Sequence, residues 1–320
     1  MADSTSKPES GNSNIYLFPA PMPVRAAERG ATKTAKIIDA AVDIIENQPA
    51  RDDLAWGARC LVAAALPYRN PKPEQLQNGA WVRRNGNYTL WIQGGPAGLP
   101  YGSYPRIFMI WLTGEAIRAQ SRRIETGSSF WDFCRKVQID TSRGKNGAGR
   151  RFAEQVNKLL SSRAAFVTGS FDDKRLTTEF LHFTDRYQLF FDAGHTGQGD
   201  LFESEIMLTE AFFREITTHC IPLDMRAVVA LRQAPLELDI YQWLAYRMYS
   251  LHKSKQNAYV TKEQLRGQFG TEAKRMVDFW RDFKQALHAV KQVYGGANIE
   301  LTDTGLVLLP SPSPIPHKML

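Results

Sequence analysis

The chain has 320 residues, 43% of them hydrophobic, with a formal net charge of +7; this leaves room for two domains with their own cores, and the cation excess suits an anionic partner such as DNA or RNA. Cys60, Cys134 and Cys220 are far apart, with no CxxC or Cys/His clustering, which argues against a disulfide scaffold and a structural zinc site and fits a reducing cytoplasm. No stretch is apolar for the length a membrane span needs, and the first residues lack the apolar core of a signal peptide, so a soluble cytoplasmic protein with no membrane partner is expected.

Residues 1–30 are rich in Ser, Asn, Pro and charge and read as a disordered arm. Ile37, Ile38, Ala41, Ile44 and Ile45 recur at helical spacing, predicting a helix over 32–47; a second helix is expected over 53–65, stopping before Pro67. Asn85-Gly86 between apolar runs predicts a type I′ hairpin of strands 81–84 and 87–93, whose edge is a candidate pairing surface for a second copy. After the Gly/Pro-rich run 94–105 comes a long apolar helix over 106–120. Ser128 and Ser129 cap a shorter one over 130–137, followed by a polar loop over 140–149.

A basic helix over 150–162 then buries Phe152, Val156, Leu159 and Leu160 and turns Arg151, Glu154 and Lys158 outward, with Arg150 beside them. Strands are expected over 164–169 and 177–191, and a linking helix over 205–218. Pro235 opens a helix over 236–252, and Thr261 with Gln264 forms a capping box for a short helix ending near Gly270. Next comes a second basic amphipathic helix, with Met276, Trp280, Phe283, Leu287 and Val290 on its inner stripe and Lys274, Arg281, Gln285 and His288 opposite. Gly295-Gly296 ends it, and strands 298–301 and 306–309 close around Asp303-Thr304-Gly305. The tail over 311–320 is proline-rich.

Long helix, short helix, basic helix and strand hairpin thus occur twice in the same order, without residue-level repetition. The expected fold is α+β, mainly helical, with two tandem winged-helix domains: 31–200 with its N-terminal helices and hairpin, a connection over 201–234, and 235–310. Candidate DNA contacts in the first are Arg143, Lys145, Arg150, Arg151 and Lys158. In the second, Arg281 suits guanine edges and Gln285 adenine edges, while Lys274, Lys284 and Lys291 suit phosphates.

The run Leu99–Arg106, LPYGSYPR, with the segment Ile110–Arg118 and the GxxxR element Gly147–Arg151, resembles the RepA-type replication initiators of broad-host-range bacterial plasmids. Ile221–Arg247, the LRGQFG element Leu265–Gly270 and Gly305–Pro314 are similar to the same family. The resemblance implies binding to iteron repeats of double-stranded origin DNA, opening of adjacent AT-rich DNA, recruitment of the host initiator and replicative helicase, and a homodimer that represses its own promoter. A winged-helix repressor without an initiation role is the alternative.

An enzyme is not expected. No two of the six histidines stand two residues apart, as a metal-dependent nicking site would need. There is also no GxxxxGK[ST] phosphate loop, so no cofactor is anticipated and strand opening would be driven by binding energy.

Overall fold

The computed structural model describes residues 32–62, 65–126, 133–139, 147–170, 175–189, 205–270 and 273–316. The N-terminal arm, Arg143, Lys145 and Ser128-Ser129 lie outside them. The chain runs through helix α1 (Lys33–Glu46), strand β1 (Leu54–Ala58), helix α2 (Arg59–Val62), the hairpin β2 (Ala80–Asn85) and β3 (Tyr88–Gln93), helix α3 (Ser103–Ala119) and strand β4 (Arg123–Glu125). A helical turn at 133–136 precedes helix α4 (Ala148–Leu160), then β5 (Arg163–Ser170), β6 (Arg175–His182), β7 (Thr184–Gln188) and β8 (Glu205–Leu208). Helix α5 (Glu210–Thr218), strand β9 (Cys220–Asp224) and helix α6 (Met225–Leu231) lead to helix α7 (Pro235–Ser254). The last elements are β10 (Ala258–Thr261), α8 (Lys262–Phe269), α9 (Met276–Val293), β11 (Ile299–Leu301) and β12 (Gly305–Leu308). Among the described residues no helix is long and apolar enough to cross a membrane.

From α7 onward the order and pairing are those of a winged helix: helix, strand, two helices and a hairpin, with the sheet ordered β10-β12-β11. Local chemistry sets its boundaries. Pro235 starts α7, where its missing N–H is no loss. Thr261 Oγ1 accepts from Gln264 N at 3.2 Å while Gln264 Oε1 accepts from Thr261 N at 2.9 Å, the expected capping box. The inner stripe of α9 adds Phe279 and Ala286 to the expected Trp280, Phe283, Leu287 and Val290. α7 is buried on most of its circumference, because α9, α8, α6, α3 and β9 all pack against it.

The first half repeats the order but departs in its pairing. β4 bonds to β8, which bonds in turn to β7, so a strand distant in sequence fills the place beside β4. Residues 205–208, expected as the start of a linking helix, form that strand. Ile206 and Leu208 alternate into the core, and Thr209 only then caps α5 by accepting from Phe212 N. The single strand expected over 177–191 is broken at Phe183, whose ring is fully buried.

Two further expectations are corrected. The helix expected over 53–65 is present only as the short α2 (Arg59–Val62), and the residues before it form a strand: β1 pairs antiparallel with β9 across the full length of both. Such short segments carry too few turns for helical periodicity to be diagnostic, and the partner stands more than 160 residues on. In the β2–β3 hairpin Asn85 pairs with Tyr88, so the two-residue turn is Gly86-Asn87 and not Asn85-Gly86. Gly86 has φ +57° and Asn87 is not in the positive region, which is the II′ pattern rather than I′. The other edge of the hairpin, on β3, is taken by β5 of the same chain, in a sheet ordered β2-β3-β5-β6.

Buried apolar residues from Ile37 to Leu308 form one continuous cluster. α1, placed by its sequence position with the first half, packs against α6 of the connection and α9 of the second half. Within this core lies a buried ion pair: Arg106 of α3, 3% exposed, donates Nε and Nη2 to the two carboxylate oxygens of Asp239 on α7, both at 2.8 Å. Its remaining N–H groups go to the carbonyls of Leu66, Pro67 and Gly102, so all five donors are used. Burial pushes this guanidinium toward losing its proton, but the Asp239 carboxylate outweighs it and the pKa rises.

Asp239→Asn leaves Arg106 buried without a counter-charge and is expected to cost about 3–5 kcal/mol in urea unfolding. A loss under about 1 kcal/mol would show that the three carbonyls suffice.

Candidate nucleic-acid interface

Helix α9 is the third helix of the winged-helix half, the one followed directly by the hairpin. Its buried stripe turns Arg281, Lys284, Gln285 and His288 outward, and all four are exposed. Lys274 is exposed in the turn before the helix, which Arg266 holds by donating Nη2 to the carbonyls of Ala273 and Lys274. Acids interleave with these cations. Arg281, 68% exposed, contacts Asp282 at 3.0 Å and Asp278 at 3.4 Å, and Arg275 forms a second pair with Asp278. Hydrogen bonding from Arg275 holds the Asp278 carboxyl below its ordinary pKa, so this acid stays charged. Arg281, Gln285, Asp278 and Asp282 all line a cleft of about 660 Å³ that Tyr68 and Glu237 also line.

Lys291 departs from its expected place. Its ammonium folds back onto the carbonyls of Gly295 and Ala297, closing the C-terminal end of α9, and it is partly buried. Burial lowers its pKa. Sequence spacing placed it beside the polar face and marked the break at Gly295-Gly296, but gave no sign that the ammonium would bond to the carbonyls of that turn.

In the first half, α4 buries Phe152, Val156, Leu159 and Leu160 as expected and exposes Arg150 and Arg151. Arg150 pairs with Glu154 one turn on, at 3.1 Å. Lys158 lies over the ring of Tyr101, 4.9 Å from its centroid, a cation–π contact that holds it against the LPYGSYPR loop. That loop is also tied to the helix by Tyr101 N donating to Gln155 Oε1 at 2.8 Å, and Tyr187 anchors the far side through Asn157. Arg143 and Lys145 precede α4 outside the described residues.

The sequence reading missed Lys262. Its ammonium sits 5.0 Å from the Trp280 ring centroid, and Trp280 stacks on Phe283. This places a cation from α8 beside the start of α9, a juxtaposition visible only once the two helices pack. Arg83 was missed too. From β2 it donates Nη1 to the Gly270 carbonyl at the end of α8, at 2.6 Å, and lies over the Trp81 ring. The C-terminal helix end supplies the partial negative charge that this buried cation faces. The glycines of LRGQFG make the contact possible. A Cβ on Gly270 would come within 2.2 Å of Arg83 Nη1, and one on Gly267 within 3.2 Å of the Arg84 carbonyl.

A winged helix with an exposed, basic third helix, preceded by a second helix–hairpin unit with its own basic helix, defines a nucleic-acid-binding class of architecture. The chain belongs to the family of plasmid-encoded RepA proteins, whose profile matches residues 99–264, more than half of its length. This bears out the resemblance to RepA-type replication initiators carried by LPYGSYPR and its companions. The chain is also similar to a selenomethionine crystal structure of domains 2 and 3 of RctB, with a TM-score of 0.47 and 9% identity over 79% of this chain and 96% of that one. A second structure of RctB domains 2–3 gives a TM-score of 0.42 and 8% identity over 78% and 96%. No curated protein matches the sequence.

Lys291→Met is expected to lower stability by about 1–2 kcal/mol through loss of its carbonyl contacts while leaving DNA affinity unchanged. Denaturant unfolding alongside a binding titration checks both, and an affinity loss with intact stability would return Lys291 to the interface.

Proposed function

We propose that this protein starts plasmid replication by binding iteron repeats in duplex origin DNA through α4 and α9. The observation that carries this reading is the pair of exposed basic helices, each followed by a hairpin, in a member of the plasmid-encoded RepA family. Arg281 reads a guanine edge, exchanging its exposed bonds to Asp278 and Asp282 for it, and Gln285 reads an adenine edge. Exposed ion pairs are weak, so the exchange costs little. Lys274, Lys284, Arg150, Arg151 and Lys158 meet phosphates, with Arg143 and Lys145 joining from the segment before α4 and the β11–β12 hairpin serving as a wing. Binding energy opens the neighbouring AT-rich DNA without nucleotide or catalytic metal, and the complex receives the host initiator and replicative helicase. A homodimer acting on its own promoter supplies repression. The setting is the bacterial cytoplasm.

Footprinting of origin DNA by the purified protein, with chelator present and nucleotide absent, is expected to show periodic protection of direct repeats and permanganate-reactive thymines beside them. A single inverted repeat with no reactive thymines would leave repression alone.

Arg281→Ala is expected to lower affinity for the cognate repeat by about 1–3 kcal/mol and for random DNA by much less; uniform loss would make it a phosphate contact. Replacing Arg150 and Arg151 together lowers the salt slope of binding by about two, and an unchanged slope removes α4 from the interface.

A further inference from the structure

The four-stranded sheet β2-β3-β5-β6 presents one face to the core and one outward. Leu90, Ile92, Ala164, Phe166 and Leu181 are buried on the core side. The pairing register lays out the other face row by row. Val82, Trp91, Ala165 and Phe180 stand side by side across all four strands; Gln93, Arg163 and His182 form the next row, and Arg84, Thr89, Val167 and Thr178 the row on the other side.

Three properties of this face coincide. Phe180 is 75% exposed, an extreme value for a phenylalanine, and Trp91 is partly exposed one strand beyond Ala165. Neighbouring strands lie about 4.8 Å apart, so the two rings stand roughly 10 Å apart with a small side chain between them. The space over Ala165 is a hollow of about 430 Å³, bounded by Trp91, Phe180, Arg163, His182, Gln93 and Thr178. The charged groups are of one sign: Arg84 and Arg163 are exposed, neither makes an ion pair among the described residues, and no carboxylate occupies the described rows of this face. Glu179 points to the opposite side, into the cleft lined by Arg59 and Glu215.

We infer that this sheet face binds single-stranded DNA, with bases stacked on Phe180 and Trp91 and the backbone led past Arg163 and Arg84. Exposed aromatic rings flanked by unpaired cations on a flat sheet suit unpaired bases, since every base has a π-face whatever its sequence. Duplex DNA hides those faces inside its own stack and gains nothing from the rings. The core-facing side of the sheet is tied to α8 at β2, where Arg83 donates to the Gly270 carbonyl. The inference rests on the reading of this chain as a protein that opens origin DNA, because that opening supplies the strand.

The test uses the full chain and two fluorescent probes, an oligothymidine of about 15 nucleotides and a duplex iteron. Phe180→Ala, which removes an exposed ring and leaves the core intact, is expected to weaken oligothymidine binding about ten-fold and leave duplex affinity unchanged. Arg163→Ala should lower the salt slope for the single strand by about 0.7, and circular dichroism should match the parent for both variants. Absence of oligothymidine binding by the parent protein, or unchanged binding by both variants, overturns the inference. A shift by Phe180→Ala from dimer to monomer in sedimentation with single-strand affinity intact also overturns it, assigning the face to a second copy. So does an equal loss on duplex. If the duplex probe fails with every protein while single-strand binding behaves as described, only the duplex reading falls.

Discussion

The buried pair between Arg106 and Asp239 ties α3 of the first half to α7 of the second. Removing both charges from water is expensive, and the arrangement is tolerated because the carboxylate meets the guanidinium in a two-pronged contact and three carbonyls take up its other protons. Arg106 closes the LPYGSYPR stretch and Asp239 lies in the opening turns of α7. Two of the segments that carry the family resemblance are therefore the two ends of one bond. They join α3, against which α4 packs, to α7, against which α9 packs.

A second joint runs through β2. Arg83 enters the C-terminal end of α8, where a Cβ on Gly270 would displace its guanidinium and one on Gly267 would press on the Arg84 carbonyl. The first hairpin is thereby anchored to the second half by β2 and to the β5–β6 hairpin by β3. The β5–β6 hairpin thus continues a four-stranded sheet rather than projecting alone. This also explains why that sheet has one face committed to the core and one left open.

Charge along the two exposed helices is mixed, not uniformly basic. Asp278 and Asp282 sit among the cations of α9, and Glu154 sits beside Arg150 on α4. Such interleaving lowers nonspecific attraction to phosphate and leaves hydrogen-bonding geometry to discriminate among partners. Lys291 illustrates how packing turns a cation to a structural use: it is folded onto a helix end, although it stands at a helical position a surface residue would occupy.

Much of the fold was legible in sequence because its signals are local. The inner stripes of α4 and α9 follow from 3.6-residue periodicity, the start of α8 from a capping box, the start of α7 from a proline, and the wing of the second half from a glycine turn. The exposed faces carrying Arg150, Arg151, Arg281, Lys284 and Gln285 follow from the same periodicity. What tertiary structure alone decided is everything set by partners far along the chain. β1 is a strand only because β9 borders it, and β8 only because it fits between β4 and β7. Gly86-Asn87 became the turn because β3 is held in register by β5. Arg83 and Lys262 gained their roles from helices brought beside them. Segments of three to five residues hold too little periodic information to choose between helix and strand, and the free energy that chooses comes from pairing and burial against residues the local sequence does not contain.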